Sequence, residues 1–135
     1  MDGKDNYTNE NQVTLMAKVK SLKTLKALAI KTFNRWIRFR DKDKGCISCG
    51  GGVHNAGHFY HGHIYSALQF NEVNVQGQCV HCNLSKAGNE KGFRQGLIRR
   101  YGQDKVDLLD SAARHKKKWQ AHEYEYIIRA YATDN

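Results

Sequence analysis

The sequence predicts an α+β fold, in which a short β-hairpin is clamped by four cysteines around one metal ion, with one long helix before it and shorter helices after it. Three observations carry this expectation. The four cysteines fall into two pairs, Cys46-x-x-Cys49 and Cys79-x-x-Cys82, a spacing that gathers four thiolates around a single tetrahedral Zn(II). Seven of the twelve glycines lie between residues 45 and 82, whereas residues 13–41 contain neither glycine nor proline. Outside the glycine-rich stretch, apolar residues recur at steps of three and four.

The elements follow in order. Residues 1–12 are polar apart from Tyr7 and are expected to be disordered. Over 13–44 the pattern predicts a basic amphipathic helix, with Leu15, Val19, Leu22, Ala29, Phe33 and Ile37 on one face and Lys20, Lys31, Arg35 and Arg38 opposite. Ile30 and Trp36 widen the apolar stripe and read as core rather than as base-stacking groups, and Lys26, on the apolar side, has to snorkel. Residues 45–102 form the expected metal-containing core. It holds a hairpin with irregular loops, β-prone around His58-Phe59-Tyr60, then a short helix over 83–87 and another over 90–101 with Phe93, Leu97, Ile98 and Tyr101 on one side. Gly102 is the expected stop. Residues 103–135 read as a helical extension, with helices near 104–115 and 117–132.

A chain of 135 residues with 40% apolar content supports one domain with a modest core. It contains no run of eighteen apolar residues and no signal-peptide pattern at the N-terminus, so the expectation is a soluble cytoplasmic protein. In such a compartment paired cysteines bind metal in preference to forming disulfides, which are the lesser alternative. The net charge of +9 is unevenly placed. Residues 16–44 carry ten Lys and Arg against two acids and 84–118 carry ten against four, while 45–83 have Glu72 alone. A near-neutral metal region between two basic arms suits an enzyme acting on a polyanion, with nucleic acid the natural partner. A solvated basic surface has the same pattern.

Phosphodiester hydrolysis needs a base to activate water, a cation to neutralise charge at the phosphate, and a scaffold that fixes both. His58 is the candidate base, because a neutral imidazole takes a proton near neutral pH. Asn83, directly after the last cysteine, is the candidate ligand for a catalytic Mg(II) or Mn(II). Asn74 is placed to bond the loop backbone and orient His58. His54, His61, His63 and His81 compete as zinc ligands, and Asn83 can equally cap a helix. Arg35, Arg38, Lys86, Arg94, Arg99 and Arg100 are candidate DNA contacts, with Lys116, Lys117 and Lys118 beside them; individually each also reads as a solvated charge. Glu72 reads as a salt-bridge partner for an arginine, or as a further metal ligand.

The order Cys-x-x-Cys, Gly57-His58, Asn74, Cys-x-x-Cys-Asn83 resembles the zinc-containing HNH, or ββα-metal, nucleases. Phe33 to Asp41, Cys46 to Gly50, Ala56 to Phe59, Phe70 to Asn74, Gln78-Cys79, Cys82-Asn83, Gly88-Asn89 and Arg94 to Arg100 resemble the lambdoid phage NinG (Rap) recombination endonuclease family. That resemblance implies a ββα-metal core with a structural zinc on the four cysteines. It also implies a divalent-metal-dependent endonuclease that cuts branched DNA such as Holliday junctions and D-loops in the bacterial host cell. In it His58 is the general base, Asn83 the ligand of the catalytic metal and Asn74 the orienting residue. Two positions depart from the pattern: Gly57 stands where many HNH enzymes have an acidic ligand, and His61-Gly62 stands where this family usually has Ser-Arg. A non-catalytic zinc module that binds nucleic acid, and an HNH nuclease of linear duplex, are the alternatives. Resolving a symmetric junction takes two cuts, which a homodimer supplies; the stripe over 15–37 is either that interface or a face packed on the core.

Overall fold

Ser21 precedes the first helix of the described residues, its hydroxyl accepting the Thr24 N–H at 3.4 Å. This helix, α1 (Leu22–Asp41), continues without interruption because nothing in it breaks the backbone ladder. The computed structural model describes residues 21–133, so the expected disordered residues 1–12 and the helical start at 13–20, with Leu15 and Val19, lie outside the described residues. The buried positions of α1 are Leu25, Ala29, Phe33 and Ile37, with Thr32 and Asp41 beside them. Leu22, expected on this stripe, is 48% exposed and Leu25 takes its place. Lys26 lies exposed.

The described residues fall into two units. One comprises residues 21–36 and 119–133. Within it the rings of Phe33 and Trp36 meet Tyr131 edge-on at 4.7 and 4.9 Å between centroids, an arrangement aromatic quadrupoles favour. The other unit, Ile37–Lys118, carries the cysteines. Strand β1 (Asn55–His58) pairs antiparallel with β2 (Val75–Gln78), Asn55 opposite Gln78 and His58 opposite Val75. After β2 come a wide helical turn over His81–Ser85, helix α2 (Glu90–Tyr101) and helix α3 (Gln103–Ala112). Ile47, Phe59, Leu68, Phe93, Leu97, Val106 and Leu109 form the core of this unit.

The hairpin is offset from its expected position. The strand ends at His58, whereas the β-prone run extends through Phe59 and Tyr60: Phe59 N–H still meets the Asn74 carbonyl at 2.9 Å, but at Tyr60 the Asn74 side chain replaces the ladder and accepts the N–H at 2.8 Å. Gly102 does separate α2 from α3: at φ 90° it takes a conformation that favours glycine, and its N–H closes α2 on Ile98 O at 2.9 Å. Helix α4 (Ala121–Ala130) starts four residues later than the sequence pattern suggests. Lys117 N–H is committed to Ser66 Oγ at 2.9 Å, and the reciprocal cap between Gln120 and Glu123 sets the start.

Candidate metal centre and the adjoining histidine

The sulfurs of Cys46, Cys49, Cys79 and Cys82 all lie within 4.8 Å of one another, and among the described residues no other three His, Cys, Asp or Glu side chains gather in this way. Cys49 Sγ and Cys79 Sγ are 3.7 Å apart and all four thiols are free. A tetrahedral zinc with bonds of about 2.3 Å sets its sulfurs about 3.8 Å apart, whereas a disulfide needs about 2.05 Å. The quartet therefore fits one metal ion such as zinc and not a disulfide pair.

Backbone and side-chain donors already point at the sulfurs. Gly51 N–H reaches Cys49 Sγ at 3.4 Å, Cys82 N–H reaches Cys79 Sγ at 3.3 Å, and Asn89 Nδ2 reaches Cys82 Sγ at 3.4 Å. The Cys82 N–H brings the Cys79 thiol down to about 7, while burial pushes Cys82 up to about 12. A bound cation overrides the second effect, because a coordinating thiol is deprotonated.

The centre is tied to α1 through a buried ion pair. Arg40 Nε meets Asp41 Oδ1 at 2.7 Å, and Asp41 Oδ2 accepts the Gly77 N–H of β2 at 2.8 Å. Arg40 also donates to the carbonyls of Glu72 and Val75, each at 2.9 Å. Burial opposes the Asp41 charge, but the Arg40 guanidinium and the Gly77 N–H prevail and lower its pKa.

His58 ends β1 with its Nε2 3.1 Å from both the backbone carbonyl and the side-chain nitrogen of Gln69. These contacts demand opposite tautomers. A side-chain amide exchanges oxygen and nitrogen by a half turn and a carbonyl does not, so the carbonyl contact decides. Nε2 then carries the proton and Nδ1 the lone pair. Burial lowers the His58 pKa below 6.5, the Gln69 bond opposing and His61 assisting.

Asn74, fully buried, fixes this loop. Its Oδ1 accepts from Tyr60 N–H, and its Nδ2 donates to the carbonyls of Tyr60 and Leu68, both at 3.0 Å. Gly57 is needed for a different reason: a β-carbon there would fall 1.9 Å from Gln78 Oε1. Gln78, itself buried, donates to Ser48 Oγ and Gly88 O at 2.8 Å each. An acidic side chain at 57 has no room while Gln78 keeps this position.

Beside His58 is a hollow of about 30 Å³ lined by His58, Phe59, His61, Ala87, Gly88, Glu90 and Phe93. Asn83 is not among them. It sits half-buried in the turn after the second cysteine pair, its N–H on Cys79 O at 3.0 Å. Ala87, Gly88 and Asn89 all have positive φ, of 49°, 92° and 44°, the left-handed region that costs an alanine about 1–2 kcal/mol. Gly88 N–H on Cys82 O at 2.9 Å helps hold them there.

The candidate DNA contacts divide. Arg38, Lys86 and Arg99 are exposed and Arg35 is half-buried. Arg94 pairs with Asp110 at 2.9 Å and covers the Phe59 ring at 5.0 Å. Arg100 donates to the carbonyls of Lys44 and Gly45 at 3.0 and 2.9 Å. Sequence reasoning missed Gln69, Gln78, Glu90 and the Arg40–Asp41 pair as parts of the site. Gly57 was the signal for a close approach, but nothing local named Gln78 as the approaching group.

The two-stranded sheet, the helices after it and the four-thiol cluster define a small α+β protein with a site that fits one metal ion. The chain belongs to the NinG family, since the family model described as bacteriophage lambda NinG protein matches residues 4–135. It is 39% identical over 106 residues to the protein ninG of Escherichia phage lambda, covering 76% of this chain and 52% of that one. To the protein ninG of Salmonella phage P22 it is 38% identical over 107 residues, with the same shares. The chain thus spans about half the length of the curated relatives it matches. No solved structure matches it. Among the described residues, no helix is long and apolar enough to cross a membrane.

Proposed function

We propose that the chain is a divalent-metal-dependent DNA endonuclease of the HNH, ββα-metal type, cutting branched recombination intermediates. The observation that carries this reading is the state of His58: Nε2–H tied to Gln69 O at 3.1 Å leaves Nδ1 as the acceptor of a ring that lines a hollow with room for a water. In the reaction, Nδ1 takes a proton from the attacking water. Asn74 keeps the imidazole in place through the backbone at 60 and 68, and the zinc-bound cysteines hold the hairpin rigid. Asn83 would hold Mg(II) or Mn(II) through its amide oxygen. Such a cation, when bound, neutralises charge at the scissile phosphate and the leaving 3′-oxygen. The products are 5′-phosphate and 3′-hydroxyl ends. Two cuts across a junction call for two copies of the chain.

Branched DNA as substrate rests on the family resemblance and on a charge of +9. The test is cleavage of a labelled four-way junction and the matching linear duplex by zinc-loaded protein, with Mg(II) and with EDTA, alongside Asn83→Ala. The expected outcome is metal-dependent cutting of the junction alone, abolished in the variant. Equal cutting of both substrates removes the branch preference. Tight binding with no cutting replaces the nuclease by a zinc-stabilised binding module.

A further inference from the structure

Asn89, the residue before α2, is where the second cysteine pair and that helix meet, and its side chain serves both. Oδ1 accepts the Gly92 N–H of the first helical turn, and Nδ2 donates to Cys82 Sγ, each at 3.4 Å. The partners settle the orientation of the amide: a backbone N–H can only donate, so Oδ1 faces Gly92 and the amino group is left for the sulfur. The Asn89 backbone is engaged as well, its carbonyl accepting from Ser48 Oγ at 3.3 Å and its N–H donating to Lys86 O at 2.9 Å. Its φ of 44° is the left-handed conformation that Gly, Asn and Asp tolerate best.

The same helix lies against the first cysteine pair through its backbone. A β-carbon at Gly92 would fall 2.5 Å from Ser48 O, and one at Gly96 2.0 Å from Ile47 O. Ile47 and Ser48 are the two residues between Cys46 and Cys49. Helix α2 thus rests on one knuckle by close approach and is tied to the other by the Asn89 amide. Capping a helix needs only an acceptor at position 89, so a donor aimed at a metal-ligating sulfur is a separate feature. A metal-bound cysteine is a thiolate, and a hydrogen bond to a charged acceptor is roughly twice as strong as a neutral one. Groups that bond to metal ligands in this way contribute on the order of 10- to 100-fold to metal affinity.

We propose that Asn89 is a positioning residue of the four-thiol metal centre, its amide stabilising the metal-bound Cys82 sulfur and fixing the start of α2 to it. The inference concerns the thiol site and does not depend on whether the chain cuts DNA. The experiment titrates the full chain with Zn(II), in competition with a chromophoric chelator, and with Co(II), whose sulfur-to-metal charge-transfer absorption reports the electron density at the thiolates. Two variants are compared with the unaltered protein. Asn89→Asp keeps the cap acceptor and the left-handed backbone but has no donor; Asn89→Gly keeps the backbone alone. The expected result is zinc affinity lowered about tenfold or more in both, with the Co(II) charge-transfer band moved to longer wavelength. Far-UV circular dichroism of zinc-loaded Asn89→Asp should retain the helix content of the unaltered chain. Asp caps a helix as well as Asn does, so a role limited to capping leaves affinity and Co(II) spectrum unchanged in Asn89→Asp, which overturns the proposal. Affinity lost in Asn89→Asp and kept in Asn89→Gly overturns it too, because the cause is then the added carboxylate and not the missing donor. Should Asn89→Asp fail to fold, Asn89→Gly decides by the same two readings, unchanged values again overturning the proposal.

Discussion

His58 shows how a single side chain is prepared by its surroundings. Its pKa lies below 6.5 through burial, so it is neutral and able to accept a proton across the physiological range. Cleavage in Mg(II) is expected to rise with pH along a limb whose midpoint lies below 6.5 and to be flat near neutrality. His58→Ala is expected to lower the rate on the order of 10²- to 10⁴-fold and to remove that limb. A single-turnover pH profile of both proteins checks this. The same shift affects stability. The unfolded chain binds the proton more readily, so His58 is neutral in effect above about pH 6.5 and destabilises the fold as pH falls through the unfolded value, the loss levelling off below the folded one.

Among the elements, the hairpin depends most on a side chain outside its own ladder. Its ladder has four residue pairs, and Asn74 extends it with side-chain bonds to a loop that has no ladder of its own. Asn74→Ala leaves the Tyr60 N–H and two carbonyls without their partner, at a cost of about 2–3 kcal/mol. Urea denaturation measures that cost. Cleavage in the variant should fall further than the stability loss accounts for, because the His58 loop loosens. The same element shows where the sequence was legible. Cys-x-x-Cys is a local geometry, so the quartet could be read before any fold was known, and α2 with its stop at Gly102 followed from local periodicity. The strand limits could not be read that way, since they depend on a side chain fourteen residues away. Arg40 and Asp41 reach partners 32 to 36 residues distant, and no local pattern encodes such pairings. The late start of α4 has a similar origin, in the Lys117 bond to Ser66.

At the scale of the whole molecule, charge matters through where it is available. Arg38, Lys86 and Arg99 present exposed cations, while Arg94 and Arg100 are engaged with protein acceptors. Neutralising Lys86 or Arg99 with Gln should lower the slope of log affinity against log salt for junction DNA by about one each. Arg100→Gln should leave that slope nearly unchanged and lower the thermal midpoint instead. Fluorescence anisotropy over a salt series, with a melting curve for each variant, separates the two groups. Membership of the NinG family was readable from the order of short motifs along the chain.

The left-handed run Ala87-Gly88-Asn89 carries a consequence for the life of the protein in its host. Ala87 sits in a conformation its side chain disfavours, and the run is held in part by bonds to Cys82. A metal ion on the four thiols would fix Cys82, and with it the run that walls the hollow beside His58. On the nuclease reading, a newly made chain would leave DNA uncut until it had captured a metal ion on its four thiols. Supply of a trace nutrient, rather than synthesis of the polypeptide, would set the moment at which cutting begins.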